Sequence, residues 1–112
     1  MYIKIGRREF ASEFCRGLSL FLGFMFHFQG TMVKVLVFRE EQKVSLHMLF
    51  VFFPLKAIFL NAKKEIVEVA ILRPFTFYTS EKMAKYVVEL PYSLSKGLEI
   101  KVGDKIKFRI TN

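Results

Sequence analysis

Apolar and polar positions alternate with a period of two along most of this chain. Val33, Val35 and Val37 fall on one strand face, and Val44, Leu46 and Met48 alternate with Ser45 and His47 on the next. The polar run REEQK, Arg39 to Lys43, reads as the connection between these two strands. Asn61 to Lys64 makes a second turn into Ile66 to Leu72, where Val67, Val69 and Ile71 align, and Pro74 closes that strand. Ala84, Tyr86, Val88 and Leu90 predict a further strand ended by Pro91. Ser93 can then cap a short helical turn that finishes at Gly97. In the last segment Ile106, Phe108 and Ile110 alternate strictly with Lys105, Lys107 and Arg109.

Two segments need arbitration between patterns. The run VSLHMLFVFFPLKAIFL, Val44 to Leu60, looks like a membrane span. A spanning helix needs about 20 consecutive apolar residues, and this run is shorter and interrupted by His47, Pro54 and Lys56. Its Phe50, Val51, Phe52, Phe53, Ile58 and Phe59 prefer a pleated, packed surface, so it is expected to form the buried spine of two strands separated by Pro54. Nearer the start, Arg7, Arg8 and Arg16 precede the apolar run Leu18 to Phe26 as in a secretory signal. No small-residue cleavage site follows, only His27, Phe28 and Gln29. Phe10, Phe14, Leu18 and Phe21 instead form a stripe opposite Arg8, Glu9, Glu13 and Arg16, which predicts an amphipathic helix ended by Gly23. The pattern therefore predicts a mainly β fold of about seven short strands. Its form would be a compact antiparallel β-barrel or sandwich with an N-terminal helix and one short additional helical turn.

A chain of 112 residues is of single-domain size, so one domain over residues 1–112 is expected. With 53% hydrophobic residues and 14 phenylalanines it can fill a core without a metal or a disulfide. Cys15 is the only cysteine, which excludes an intramolecular disulfide and reads as a buried structural thiol in a reducing, cytoplasmic setting. His27 and His47 have no thiolate companion beyond Cys15, so no metal site is expected, and no cofactor. The absence of βαβ alternation with a glycine-rich loop argues against a nucleotide-binding doubly wound fold.

Several ordered blocks carry a family resemblance: Gly23-Phe24-Met25-Phe26, His47 to Leu55 (HMLFVFFPL), Ile58-Phe59-Leu60, Arg73-Pro74-Phe75, Ala84 to Pro91 (AKYVVELP) and Val102-Gly103-Asp104. In this order, from about residue 23 to 110, they resemble the domain of unknown function 192 family, in its archaeal branch. The resemblance implies a mainly β fold with one or two short helices and no established activity. It also marks two departures, since Lys56 and Asn61 stand where the family tends to have acidic residues. A metal or acid/base site built on those carboxylates in relatives would be lost in this chain.

Candidate chemistry is sparse. Glu40, Glu41, Glu65 and Glu68 read as solvated turn or strand residues rather than a general acid/base pair. Ser45 and His47 share a strand face without an identifiable third group to orient the imidazole, so no catalytic residue is assigned. The loop from Arg73 to Tyr78 places a guanidinium, two phenyl rings and a phenol between strands. With His47 at a cavity mouth, it gives His47, Arg73, Phe75 and Tyr78 as the candidate ligand-binding set. The bland alternative is that Phe75 and Phe77 plug one barrel end while Arg73 and Tyr78 reach to water.

The net charge of +8 favours polyanionic partners through attraction and counterion release. Lys105, Lys107 and Arg109 would project from one strand face about 6.8 Å apart, as polyanion contacts or as protection of a sheet edge. Two functions follow. The first is a non-enzymatic binding module for an anionic ligand or nucleic acid, without integral membrane insertion. The second is an enzyme acting on a small anionic or carbohydrate substrate, with His47 as base and Arg73 as anion clamp. Both allow a homo-oligomer formed through apolar surface at Phe21, Leu22 and Phe24.

Overall fold

The structure, a computed structural model, describes residues 2–16 and 32–109. They form β1 (Tyr2–Ile5), β2 (Arg8–Cys15), β3 (Val33–His47), β4 (Leu55–Leu60), β5 (Ile66–Leu72) and β6 (Phe77–Pro91), followed by a 3-10 turn at Tyr92–Ser95. The strands make one sheet in the order β1-β2-β3-β6-β4-β5. Neighbours are antiparallel except β2 and β3, which run parallel. The mainly β expectation holds, whereas the all-antiparallel one gives way to a mixed sheet curled into a half-barrel.

The predicted N-terminal helix is corrected by β2. Gly6 takes φ +62° at the first position of a two-residue turn, Ile5 pairs with Arg8, and Ile3 lies opposite Phe10. Both Ile3 and Phe10 are buried, so the hairpin face continues through them. A spacing of four, as between Phe10 and Phe14, suits a helix face and a strand face equally. The alternation of Ile3 and Ile5 before the turn decides for the strand. The rest of the predicted helix, residues 17–23, lies outside the described residues. Parallel pairing of β2 with β3 requires a connection of a dozen or more residues, and residues 16–32 supply it.

Alternation carries through the central strands, but on two buried faces rather than one. Val35 and Val37 face a core with Ile3, Ile58, Tyr86 and Val88, while Leu36 faces a second core with Ala57, Phe59, Val87 and Cys15. Cys15 is thus a buried thiol at 1% exposure. The two strands predicted around Arg39 to Lys43 are one strand, β3. Its register against β6 shifts between Val37 and Gln42 and again between Lys43 and Ser45, so the polar residues occupy a bulge rather than a turn. The expected spine is half strand and half loop: Leu55–Leu60 is buried as β4, while 48–54 is a loop with Phe50 and Phe52 exposed. Among the described residues no helix is long and apolar enough to cross a membrane.

The short helical turn is present as the 3-10 segment, two residues earlier than Ser93 as its cap would set it. Pro91 stands at its N-cap without a side-chain hydrogen bond. The Arg8 guanidinium donates to the carbonyls of Leu94 and Lys96, at 3.2 and 3.1 Å, and holds the turn against β2.

The C-terminal segment joins the two edges of the curled sheet. Asp104 accepts a hydrogen bond from Ile66 N–H at 2.8 Å, Ile106 donates to Lys64 at 3.1 Å, and Lys107 accepts from Lys4 N–H at 3.1 Å. These are isolated bridges at Lys105 and Lys107 rather than the predicted last strand. The alternation is nevertheless kept. Ile106 and Phe108 point into the first core, with the Phe108 ring 5.2 Å from Tyr86 and 5.9 Å from Phe14. Lys64 seals it, its ammonium 4.3 Å above the Phe108 ring and donating to the Phe108 carbonyl at 2.6 Å. Phe108→Ala is expected to lower the unfolding free energy by about 3–5 kcal/mol in urea denaturation. A loss below about 0.5 kcal/mol, the range of ordinary surface changes, would show that the segment does not close the fold.

Candidate functional site

Two candidate surfaces lie at opposite ends of the β4–β5 hairpin. Leu55 pairs with Leu72 at one end, beside Arg73, and Leu60 pairs with Ile66 at the other, beside the C-terminal bridges. Five residue steps separate the ends, about 17 Å at roughly 3.4 Å per residue.

At the first end, β3 stops at His47 and β6 starts at Phe77, and these two residues are register partners. Two loops are tied together at Met48, whose N–H donates to Thr76 O at 2.7 Å. The Met48 carbonyl accepts from Phe75 N–H at 2.8 Å and from Val51 N–H at 3.2 Å. Thr76 Oγ1 donates to Arg73 O at 2.6 Å, and His47 Nδ1 accepts from Leu49 N–H at 3.2 Å. This scaffold presents phenylalanines outward: Phe50, Phe52, Phe75 and Phe77 are 46, 41, 51 and 71% exposed. Phe75 meets Phe50 and Phe52 edge to face at 6.0 and 5.6 Å. Phe50 and Phe75 adopt φ of 57° and 61°, a left-handed backbone that bulky residues rarely take. Neither φ could be read from the sequence, and Phe50 and Phe52, expected in the buried spine, are exposed beside Phe75.

His47, Arg73 and Phe75 therefore belong to one end of the molecule, with Arg73 and Phe75 exposed and His47 half-buried. Tyr78 does not join them, because it alternates to the opposite face and packs its ring 5.8 Å from Phe59. Its hydroxyl donates to Glu68 Oε2, while Glu68 Oε1 accepts from the N–H groups of Glu81 and Lys82, at 2.9 Å each. Bonding to Glu68, burial and the charges of Glu68 and Glu81 push the Tyr78 phenol up to about 12. Glu41 and Glu65 are also hydrogen-bonded within the fold. Glu41 accepts from Ala62 N–H at 2.7 Å, and Glu65 accepts from the Asn61 amide at 3.0 Å. Ser45 shares a hydrogen bond with Thr79 at 3.1 Å.

Asn61 and Lys56 explain themselves locally. The Asn61 side-chain oxygen accepts from Lys63 N–H at 2.9 Å and Glu65 N–H at 3.0 Å, so it shapes the β4–β5 turn as an Asx acceptor and needs no charge to do so. Lys56 is half-buried on β4 between Ile71 and Leu90. Among the described residues, no three of His, Cys, Asp or Glu gather as metal ligands. Phe21, Leu22 and Phe24 lie outside the described residues.

At the second end, Lys105, Lys107 and Arg109 are exposed while Ile106 and Phe108 between them are buried, so the three cations share the outer side. The bridge from Lys107 to Lys4 adds a cation that is distant in sequence. Lys4, Lys105 and Lys107 line a hollow of about 330 Å³ together with Glu99 and Asp104. An adjoining hollow of about 490 Å³ shares Gly6 and Glu99 and adds Arg7 and Arg8. The two hollows thus carry Lys4, Arg7, Arg8, Lys105 and Lys107 against Glu99 and Asp104, five cations to two carboxylates. Sequence reading found only the local half of this set, because Lys4 and Arg7 reach it through the hairpin and the bridge.

A separate buried pair lies in the sheet interior. Glu89 and Lys34 are register partners at 4 and 5% exposure, and Lys34 also pairs with Glu13 at 3.5 Å. Burial raises the Glu89 carboxyl to about 7, against the opposing pull of Lys34. A carboxyl raised from its ordinary 4.5 stabilises the fold fully below pH 4.5, and that contribution is lost as pH rises through about 7. For Tyr78 the same sign holds higher: its contribution is complete below pH 10 and lost as pH rises through about 12. Thermal midpoints measured against pH are expected to fall across both windows. Glu89→Gln should remove the lower decline and Tyr78→Phe the upper one.

Comparison with known proteins places these features in a family. The profile described as "Uncharacterized ACR, COG1430", that of the domain of unknown function 192, matches residues 21–108. A UPF0127 protein of Pyrococcus abyssi is 35% identical over 104 residues, spanning 92% of this chain and 86% of its own. A UPF0127 protein of Pyrococcus furiosus is 35% identical over 101 residues, spanning 89% of this chain and 84% of its own. A crystallised protein of unknown function from Novosphingobium aromaticivorans superposes with a TM-score of 0.85 at 22% identity, over 96% of this chain and 84% of that one, a likeness of fold.

Proposed function

This chain belongs to the domain of unknown function 192 family, a conserved family without an assigned activity, and on that premise we propose that it is a non-enzymatic binding module for a polyanion. The observation that carries the reading is the convergence of Lys4, Arg7, Arg8, Lys105 and Lys107 around adjoining hollows bordered, among the described residues, by two carboxylates, Glu99 and Asp104. Lys4 and Arg7 come from the first hairpin, and Lys105 and Lys107 from the C-terminal segment. Arg8 is partly committed to the 3-10 turn, and the other four are the phosphate-facing set. Concave placement focuses their field, and each neutralised phosphate releases counterions.

Support for a binder over an enzyme comes from the acidic groups. Glu41, Glu65 and Glu68 accept structural hydrogen bonds, and His47 Nδ1 is held by Leu49 N–H. A hydrolase or acid/base site would draw on these residues, and they are occupied in hydrogen bonds within the fold.

The test is fluorescence anisotropy with labelled duplex DNA and with polyphosphate as competitor. If four cations engage phosphates, affinity for the duplex is expected to fall about a hundredfold between roughly 50 and 200 mM salt, with the logarithmic slope near −0.9 per contact. Lys105→Glu with Lys107→Glu should weaken binding and flatten that slope by about two. Binding that ignores salt, or none to either polyanion, would overturn the reading.

A further inference from the structure

The phenylalanine cluster at the other end of the molecule is absorbed neither by the core nor by the basic hollows. Four rings stand 41–71% exposed on two loops and the first residue of β6, and the loops are pinned to each other by two backbone hydrogen bonds at Met48. Water contact for so many large apolar groups in one place costs stability. Two of the four, Phe50 and Phe75, are also carried on left-handed backbone, which an L-residue with a bulky side chain takes at a cost. Strain of this kind persists where the surrounding structure enforces it, and it gathers at ligand clamps. The edge-to-face contacts fix the Phe75 ring relative to Phe50 and Phe52.

Resting on the polyanion reading above, we propose that Phe50, Phe52, Phe75 and Phe77 form a base-stacking site, and that the polyanion is single-stranded nucleic acid. Unpaired bases offer apolar faces to exposed rings, and in a duplex those faces are covered by stacking. Arg73, exposed where the second loop begins, supplies a guanidinium for a phosphate or for stacking on a base. Charge selects among occupants of the patch. A second copy would itself carry a net charge of +8 and be repelled, and a neutral sugar would leave the charge unused, whereas a single strand matches both rings and cations. The phenylalanines then give preference for unpaired bases, and the basic hollows about 17 Å away along the hairpin, at roughly 3.4 Å per residue, hold the backbone.

The experiment titrates the full chain onto three labelled probes by fluorescence anisotropy: oligo-dT of about 16 nucleotides, within the known range of single-strand site sizes, an abasic strand with the same number of phosphates, and duplex DNA. Oligo-dT is expected to bind at least about fivefold more tightly than the abasic strand. Phe75→Gly should erase that margin while leaving the abasic affinity unchanged, since glycine accepts the φ of +61° found there. Phe77→Ala, at a ring 71% exposed, should reduce the margin without touching the fold. Equal binding of oligo-dT and abasic strand would overturn the stacking site and leave the polyanion reading standing. Failure of all three probes to bind would remove both. A dimer in light scattering that dissociates with Phe75→Gly, or binding of a neutral oligosaccharide lost in that variant, would also overturn it.

Discussion

The bridge between the sheet's two edges is the constraint on which this molecule depends. A curled sheet of six strands leaves one core open along the gap between β1 and β5. Residues 103–108 fill that gap with backbone hydrogen bonds to Lys4, Lys64 and Ile66 and with two apolar plugs, Ile106 and Phe108. Closing the gap satisfies edge groups that would otherwise template association with another chain. It also removes the Phe108 ring from water and brings Lys105 and Lys107 beside Lys4. The charged hollow is a by-product of closure, since strict alternation sends apolar residues inward and lysines outward.

Much of the architecture was legible in the sequence because alternation is a local signal. The facing of Val35, Val37, Val88 and Leu90 and the outward lysines around Ile106 and Phe108 follow from period two alone. What failed was failing for stated reasons. Phe10 and Phe14, four apart, satisfy both periods, so the stripe that extended into Leu18 and Phe21 read as a helix. The REEQK run reads as a turn because its polar residues interrupt the alternation, and a bulge within one long strand interrupts it identically. Parallel pairing of β2 with β3 left no trace in the sequence, since pairing direction is set by tertiary placement.

The candidate site was half legible. Arg73 and Phe75 stood out by composition, and Lys105 and Lys107 by spacing, but the partners that complete each set come from elsewhere in the chain. Phe50 and Phe52 join Phe75 through Met48, and Lys4 joins Lys107 across the bridge. Tyr78, adjacent in sequence to Phe77, is removed by a single step of alternation and given to Glu68. The acidic residues show the converse. Glu41, Glu65 and Glu68 look like chemistry in a list of residue types, and they prove to accept hydrogen bonds from backbone N–H groups or, for Glu65, from the Asn61 amide. Asn61 accepts backbone N–H groups at the β4–β5 turn with a neutral amide.

The contact between Lys4 and Lys107 has a temporal consequence. During synthesis the first hairpin leaves the ribosome long before the segment that covers it, and Ile3, Ile5 and Phe10 cannot reach a closed core until residues near 108 have been made. Contacts that join residues so far apart in sequence are formed against the largest loop-closure entropy and slow the folding of such sheets. The nascent chain therefore carries one uncovered apolar face until the segment around Phe108 emerges, and that segment covers it.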